Sequence, residues 1–296
     1  MRVGLFLEAD SLDTLRERVA GAAGDGFGSV WTSNIFGLDA LTALAVVGSQ
    51  IPGIELGTAV VPTYPRHPAA LAQQALTADA ALGGRLALGI GLSHQVVVEQ
   101  MYGYSFDRPA RHMKEYLDIL LPLVRDGRVK YRGETLTANL ALSTPRTGTL
   151  PVLIAALAPR MLRLAGAVAD GTVLWMTGPK TVRDHVAPAV TAAAEEAGRD
   201  APRIVCALPV CVTDDPAAAR TRANEVFAVY GTLPSYRAML DREGAAGPGD
   251  VALVGTEDDV REQIEALAAH GVTDFVAAEY GSRERTRALL KDLLPR

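Results

Sequence analysis

Two of the five histidines stand where glycine and proline punctuation places the ends of strands: His67 in the run Tyr64-Pro-Arg-His-Pro, and His94 in Gly89-Ile-Gly-Leu-Ser-His. An imidazole titrates near neutral pH, so at such a place it can hold or pass a proton. His185 and His270 fall on helical stretches away from those ends and are expected on the surface. None of the histidines has the pairwise spacing of a metal site. Glu8 and Asp10 offer a carboxylate pair, but a glycosidase needs two carboxyls converging on one bond, and spacing alone does not give convergence. A different chemistry is suggested by Ala155-Ala156-Leu157-Ala158-Pro159-Arg160-Met161. Ala155 and Ala156 end an apolar run, and Pro159, Arg160 and Met161 open a helix. Free N–H groups and the positive end of the helix dipole attract an anion there by roughly 0.3–1 kcal/mol before Arg160 adds its charge. A phosphate is the expected occupant. The basic cluster from Asp107 to Leu117 reads instead as a salt-bridged helix start.

Conventional signatures are mostly absent. The Gly89-x-Gly91 pair lacks the third glycine and the later acidic residue of a dinucleotide fingerprint. No P-loop, zinc-protease, EF-hand, Cys-x-x-Cys or Gly-x-Ser-x-Gly motif occurs.

The elements that must position these groups are legible from apolar runs. Strand-like segments recur at Val3–Leu7, Ser29–Trp31, Glu55–Val60, Arg85–Ile90, Val152–Ala155, Thr172–Trp175, Arg203–Val212 and Asp274–Ala278, separated by alanine-rich helical stretches. Ser11, Asp39 and Asp215 are placed to cap helices, and Pro68, Pro159 and Pro216 fit first-turn positions. Strands alternating with helices require parallel pairing through crossovers, and continuous apolar runs mean both sheet faces are covered. Eight such units without a midpoint linker predict one α/β domain over residues 1–296, a closed (β/α)8 TIM barrel. Two insertions interrupt the rhythm. After the fourth strand come a helix from Pro109 to Asp126 and a hairpin turning at Gly133. After the seventh, Tyr230–Asp250 reads as a helix framed by loops. Such insertions shape a site or an oligomer contact, and Tyr102, Tyr104, Phe106, Tyr230 and Tyr236 are available to its outer wall. In a parallel barrel the working residues sit at the carboxyl ends of strands. The residues there are hydroxyls, glycines and small side chains, which suits a planar, partly apolar ligand more than a metal.

Composition agrees. Of 296 residues, 49% are hydrophobic and 21% charged, which is ample for a core, and the net charge of −5 argues against nucleic acid as a partner. Cys206 and Cys211 lie an odd number of positions apart in one strand and point to opposite faces, so they are read as small buried hydrophobes, not a disulfide. The five-residue apolar run before Glu8 is too short for a signal peptide or membrane span, and the expected location is cytoplasmic.

Five stretches in combination, starting at Glu55, Gly83, Tyr104, Pro151 and Val229, resemble the luciferase-like monooxygenase superfamily. The likeness is strongest to its actinobacterial branch of oxidoreductases dependent on the deazaflavin coenzyme F420. The resemblance runs over nearly the whole chain. It implies a barrel of the bacterial luciferase-like type, a homodimer, and a flavin or deazaflavin across the strand tips. Carried over by position, Ala59–Val60 is the cis peptide that supports the cofactor ring, and Ile90 and Gly91 pass close to it. Leu157, Ala158, Arg160 and Met161, with Ala155 and Ala156, form the phosphate turn. Ser33 and Asn34 contact ring or substrate, and Trp175, at the sixth strand's tip, belongs to the same set. Related sugar-phosphate dehydrogenases carry an Asp-His pair and a Glu for proton transfer where this chain has Ser33-Asn34 and Leu92. Reduction of a C=C or C=N bond by the reduced coenzyme is therefore expected, with Tyr64, His67, His94 or water delivering the proton. The alternatives are an FMN-dependent monooxygenase in the same barrel and a non-catalytic cofactor carrier.

Overall fold

The apolar runs form strands and the alanine-rich stretches between them form helices. The computed structural model describes residues 1–295. In chain order the elements are β1 (Arg2–Phe6), α1 (Leu12–Gly24), β2 (Ser29–Thr32), α2 (Ala40–Gly48), β3 (Glu55–Thr58), β4 (Val61–Pro62), α3 (Pro68–Ala81) and β5 (Leu86–Gly91). The first insertion follows, with a π turn at Val97–Met101, α4 (Pro109–Asp126), β6 (Arg128–Arg132) and β7 (Thr137–Ala141). Then come β8 (Val152–Ala155), α5 (Pro159–Ala167), β9 (Gly171–Trp175), α6 (Pro179–Thr181), a second π turn at Val182–Val186, α7 (Ala187–Glu196) and β10 (Arg203–Val212). The chain finishes with α8 (Pro216–Val226), α9 (Ala228–Thr232), α10 (Pro234–Glu243), β11 (Leu253–Gly255), α11 (Glu257–Ala269), β12 (Asp274–Glu279) and α12 (Arg283–Asp292).

Eight strands pair in parallel in the ring β1-β2-β3-β5-β8-β9-β10-β12, and β12 returns to β1. This is the expected (β/α)8 barrel, and its eight strands are the eight apolar runs. Two short strands lie outside that expectation. β4 resumes the third strand beyond Ala59-Val60 and pairs with β5, while β11 pairs only with the far end of β10. At two and three residues they are too short to leave a periodic signal. The second insertion holds two helices, α9 and α10, where one was expected, because Pro234 starts a new helix after Leu233.

Helix starts follow the caps read from sequence. Ser11 accepts from Thr14 N, Asp39 from Thr42 N and Asp215 from Ala218 N, each worth about 1 kcal/mol. Inside the barrel, Trp31, Ala87, Leu153, Val173, Val205 and Val276 pack against one another. Trp31 needs Gly57 beside it, since a Cβ there would stand 2.2 Å from the indole Cε3. The amino end of the barrel is closed by charge. Arg203 bonds Glu55 at 2.8 Å and Asp274 at 2.9 Å, Arg2 pairs with the same two carboxylates, and the Arg203 guanidinium lies 5.8 Å from the centroid of the Trp31 ring. The carboxyl end is left open for a ligand.

The first insertion is fastened to the barrel's flank by Glu115. Its buried carboxylate accepts from Glu134 N, Thr135 N, Thr135 Oγ1 and Leu136 N at 2.8–3.0 Å, clamping the β6–β7 turn. Burial opposes the charge, but the bonds from Thr135 and Leu136 outweigh it and hold the pKa below its ordinary value. The basic cluster at the start of α4 is salt-bridged as expected, with Glu134 of that turn as the partner of Arg108 and Arg111. Cys206 and Cys211 are both buried and unbridged. Among the described residues no helix is long and apolar enough to cross a membrane, and no cluster of His, Cys, Asp and Glu could hold a metal ion.

Candidate active site

A cavity of about 380 Å³ opens at the carboxyl ends of the strands. Phe6, Ala59, Val60, Ala155, Val173, Trp175 and Ala207 line it from the barrel strands. Small residues at three of these seven positions leave the volume unfilled. Phe6 and Trp175 stack with ring centroids 5.5 Å apart and 20° between planes, and Phe227 and Tyr230 brace the indole edge-on at 5.7 and 5.6 Å. The Trp175 Nε1–H is buried beside the Tyr230 phenol, which keeps the indole fixed in the wall.

The bond between Ala59 and Val60 is cis, as expected. Thr58 ties the third strand to the fourth, its hydroxyl donating to Gly89 O at 2.7 Å and accepting from Gly89 N at 2.9 Å. The two glycines of Gly89-Ile90-Gly91 are there for the neighbouring strand. A Cβ at 89 would fall 2.0 Å from Thr58 O, and one at 91 would fall 2.6 Å from Val60 Cγ2. Ile90 is fully buried in the layer between strands and helices. These residues set the position of Val60, and Val60 is what the cavity meets.

The walls come from loops. After β2 stand Ser33, whose hydroxyl donates to the Glu8 carboxylate, and Asn34, whose Oδ1 accepts from Ala40 N at 2.9 Å. After β5, Ser93, His94, Val97 and Tyr102 line the cavity. The His94 carbonyl accepts from Val97 N and Val98 N and starts the π turn, while its ring tilts against Tyr236 at 5.4 Å. Burial holds the His94 imidazole below its ordinary pKa, and Tyr230 and Tyr236 are pushed up by burial, so all three are neutral at pH 7. Among the described residues, no Asp, Glu, Lys or Arg lines the cavity.

At the tip of β8, Leu157 reaches the cavity wall and the chain turns into α5. Ala158 occupies the N-cap position, where it has no side chain able to cap the first turn, and the exposed Arg160 has no carboxylate partner among the described residues. Ala156 and Met161 are buried behind the turn. The turn is anchored by His185, whose Nε2 lies 2.8 Å from Leu157 O. His185 was expected at the surface; the π turn from Val182 to Val186 swings it inward instead. The helix start after β9 is already occupied, since Glu243 accepts from Lys180 N, Thr181 N and Thr181 Oγ1. A Cβ on Gly178 would strike that carboxylate. Of two adjacent helix starts, one is filled by the chain's own carboxylate and the other lacks a cap.

Of the residues singled out for proton transfer, the structure brings only His94 to the cavity. His67 caps α3, accepting from Ala69 N at 3.2 Å, and its Nε2 lies 3.3 Å from Thr137 O. Tyr64 stacks on His112 with centroids 4.0 Å apart, and burial, with the charges of Asp107 and Glu99, pushes its phenol up to about 12. His112 escaped sequence reasoning because its partner Thr63 Oγ1, at 3.1 Å, is far away in the chain. Phe6 and Val173 also line the cavity and read in sequence only as strand hydrophobes.

A family model described as luciferase-like monooxygenase matches residues 1–274. The chain is 30% identical to a Mycobacterium tuberculosis protein provisionally named a coenzyme F420-dependent oxidoreductase, over 92% of both chains. It is 27% identical to the 5,10-methylenetetrahydromethanopterin reductase of Methanolobus tindarius, again over 92% of both. Among solved structures, the coenzyme F420-dependent tetrahydromethanopterin reductase of Methanopyrus kandleri superposes with a TM-score of 0.84 at 21% identity, covering 99% of this chain and 98% of that one.

Proposed function

The chain belongs to the luciferase-like monooxygenase family, and from that premise we propose that it is an F420-dependent oxidoreductase that reduces a polarised C=C or C=N bond of a small organic substrate. The observation that carries this reading is the pairing of an uncharged cavity over the strand tips with an uncapped helix start beside it. The first suits a planar ring, and the second suits a phosphate.

When bound, the deazaflavin supplies a hydride. This chain's residues would do the rest. Arg160 and the first turn of α5 hold the phosphate, with His185 fixing the turn through Leu157. Val60, Ala155, Phe6 and Trp175 would seat the ring. The proton that must arrive as the π bond breaks would come from water, with His94, a neutral imidazole on the wall, hydrogen-bonding that water. One carbon of that bond gains the hydride and its neighbour the proton. Alcohol oxidation would need a base at the second strand's tip, but Ser33 is hydrogen-bonded to Glu8 and the Asn34 oxygen to Ala40.

Equilibrium titration with F420 and, separately, FMN tests the proposal through cofactor fluorescence. F420 should bind more tightly, and Arg160→Ala should weaken it about 10- to 100-fold, the range for one charge-assisted hydrogen bond. Tighter binding of FMN would point to an oxygen-using monooxygenase, and binding of neither would overturn the reading.

A further inference from the structure

Single exposed hydrophobic side chains are ordinary on a protein surface; a contiguous group of them around a cavity is informative. Nine large hydrophobic residues are exposed among those described here, and five of them stand at one place. Ile35, Phe36, Val96, Met101 and Val229 all line the cavity. They come from three separate segments: the loop after β2, the region of the π turn after β5, and α9 in the second insertion. Phe36 is 63% exposed, Met101 59% and Val229 58%. Three segments far apart in sequence thus converge on an apolar collar around a cavity lined, among the described residues, by no charged side chain.

We propose that this collar receives the body of the substrate, and that the substrate is a neutral, hydrophobic molecule larger than the space at the strand tips, such as a polycyclic enone. This proposal rests on the reading of the cavity as a cofactor and substrate site. A volume of about 380 Å³ lies near the small end of ligand pockets. With a cofactor ring over the strand tips, little of it is left for more than the reacting bond. The rest of the substrate must lie outward, where it meets Phe36, Met101 and Val229. Burying those side chains and the substrate's apolar body together supplies affinity. A carboxylate or phosphate on that body would be desolvated in the collar without a counter-charge, so anionic substrates are selected against.

The test uses binding and not turnover. Equilibrium dialysis of the full-length protein is run with androst-4-ene-3,17-dione as a neutral probe and with 3-oxoandrost-4-ene-17β-carboxylate as its charged counterpart. The neutral probe should bind at least 10-fold more tightly. The variants Phe36→Ser and Met101→Ser should each weaken it about 10-fold, while Val46→Ser, an exposed hydrophobic site on α2 away from the cavity, should change nothing. Equal affinity for the two probes, or unchanged affinity in the collar variants, overturns the proposal. So does sedimentation showing that Phe36→Ser dissociates a dimer without altering probe affinity, because the collar would then be an interface. F420 is titrated into the same variants. Loss of F420 binding in the wild type with the probe pattern intact would refute the coenzyme and leave the collar standing. Tight F420 binding with no probe discrimination would do the reverse.

Discussion

Replacing His112 should change how stability depends on pH. Its ring stacks on Tyr64 at 4.0 Å with 6° between planes, and its Nε2 lies 3.1 Å from Thr63 Oγ1. Burial lowers its pKa from 6.5 to about 4, with Glu115 opposing the shift. The folded state therefore favours the neutral ring, whereas the unfolded chain takes up a proton below pH 6.5. Stability from this group is fully present above pH 6.5 and is lost as pH falls from there to about 4. A shift of about 2.5 units has a ceiling near 3.4 kcal/mol at ~1.36 kcal/mol per unit. The ring is only half-buried, so solvent screening reduces this to on the order of 2 kcal/mol. His112→Gln keeps a group able to bond Thr63 and removes the titration. It should be about 1 kcal/mol less stable at pH 7.5 through loss of the aromatic stack. That deficit should vanish or reverse by pH 4.5. Urea unfolding followed by far-ultraviolet circular dichroism at pH 7.5, 6.5, 5.5 and 4.5, with m-values checked for constancy, measures the difference. His94 titrates in both proteins and cancels. Parallel pH profiles for the two would refute the argument.

Three further outcomes are expected. Gly57→Ala sets a Cβ against the Trp31 indole and should cost about 1–3 kcal/mol in urea unfolding; an unchanged midpoint would mean the barrel interior yields more readily than its packing suggests. Glu243→Ala removes the acceptor of three hydrogen bonds at the start of α6 and should destabilise by roughly 2–3 kcal/mol, measured the same way. His185→Phe frees the Leu157 carbonyl and should weaken F420 binding several-fold with a thermal midpoint shifted by less than about 3 °C. A large loss of stability with intact binding would instead make His185 a purely structural support.

The barrel was legible because its signals are local. A strand covered on both faces is a continuous apolar run, a helix start shows its cap within three residues, and eight repeats leave little choice of closure. The strand ends follow from that register, so Ala59, Val60, Ala155, Leu157, Trp175 and His94 are legible in the sequence as tip residues. The uncapped turn before Arg160 was visible for the same reason. The resemblance to a known family supplied the expectation of the cis bond and of a deazaflavin, which periodicity does not contain.

What tertiary structure decided was which tip residues share a space. His67 and His94 look alike in sequence, yet His67 is consumed as the cap of α3 and His94 faces the cavity. The resemblance places Gly91 close to the cofactor, but the space beside Gly89 and Gly91 is taken by Thr58 and Val60 of the neighbouring strand. His185 and His112 find partners 28 and 49 positions away in the chain, and the collar joins Ile35, Val96 and Val229 from segments still farther apart. Side-chain alternation and caps are encoded within a few residues, whereas the meeting of loops depends on barrel closure and on where each insertion folds back. The sequence by itself therefore determined the scaffold and its working end, and the folding of its insertions determined the shape and polarity of the site.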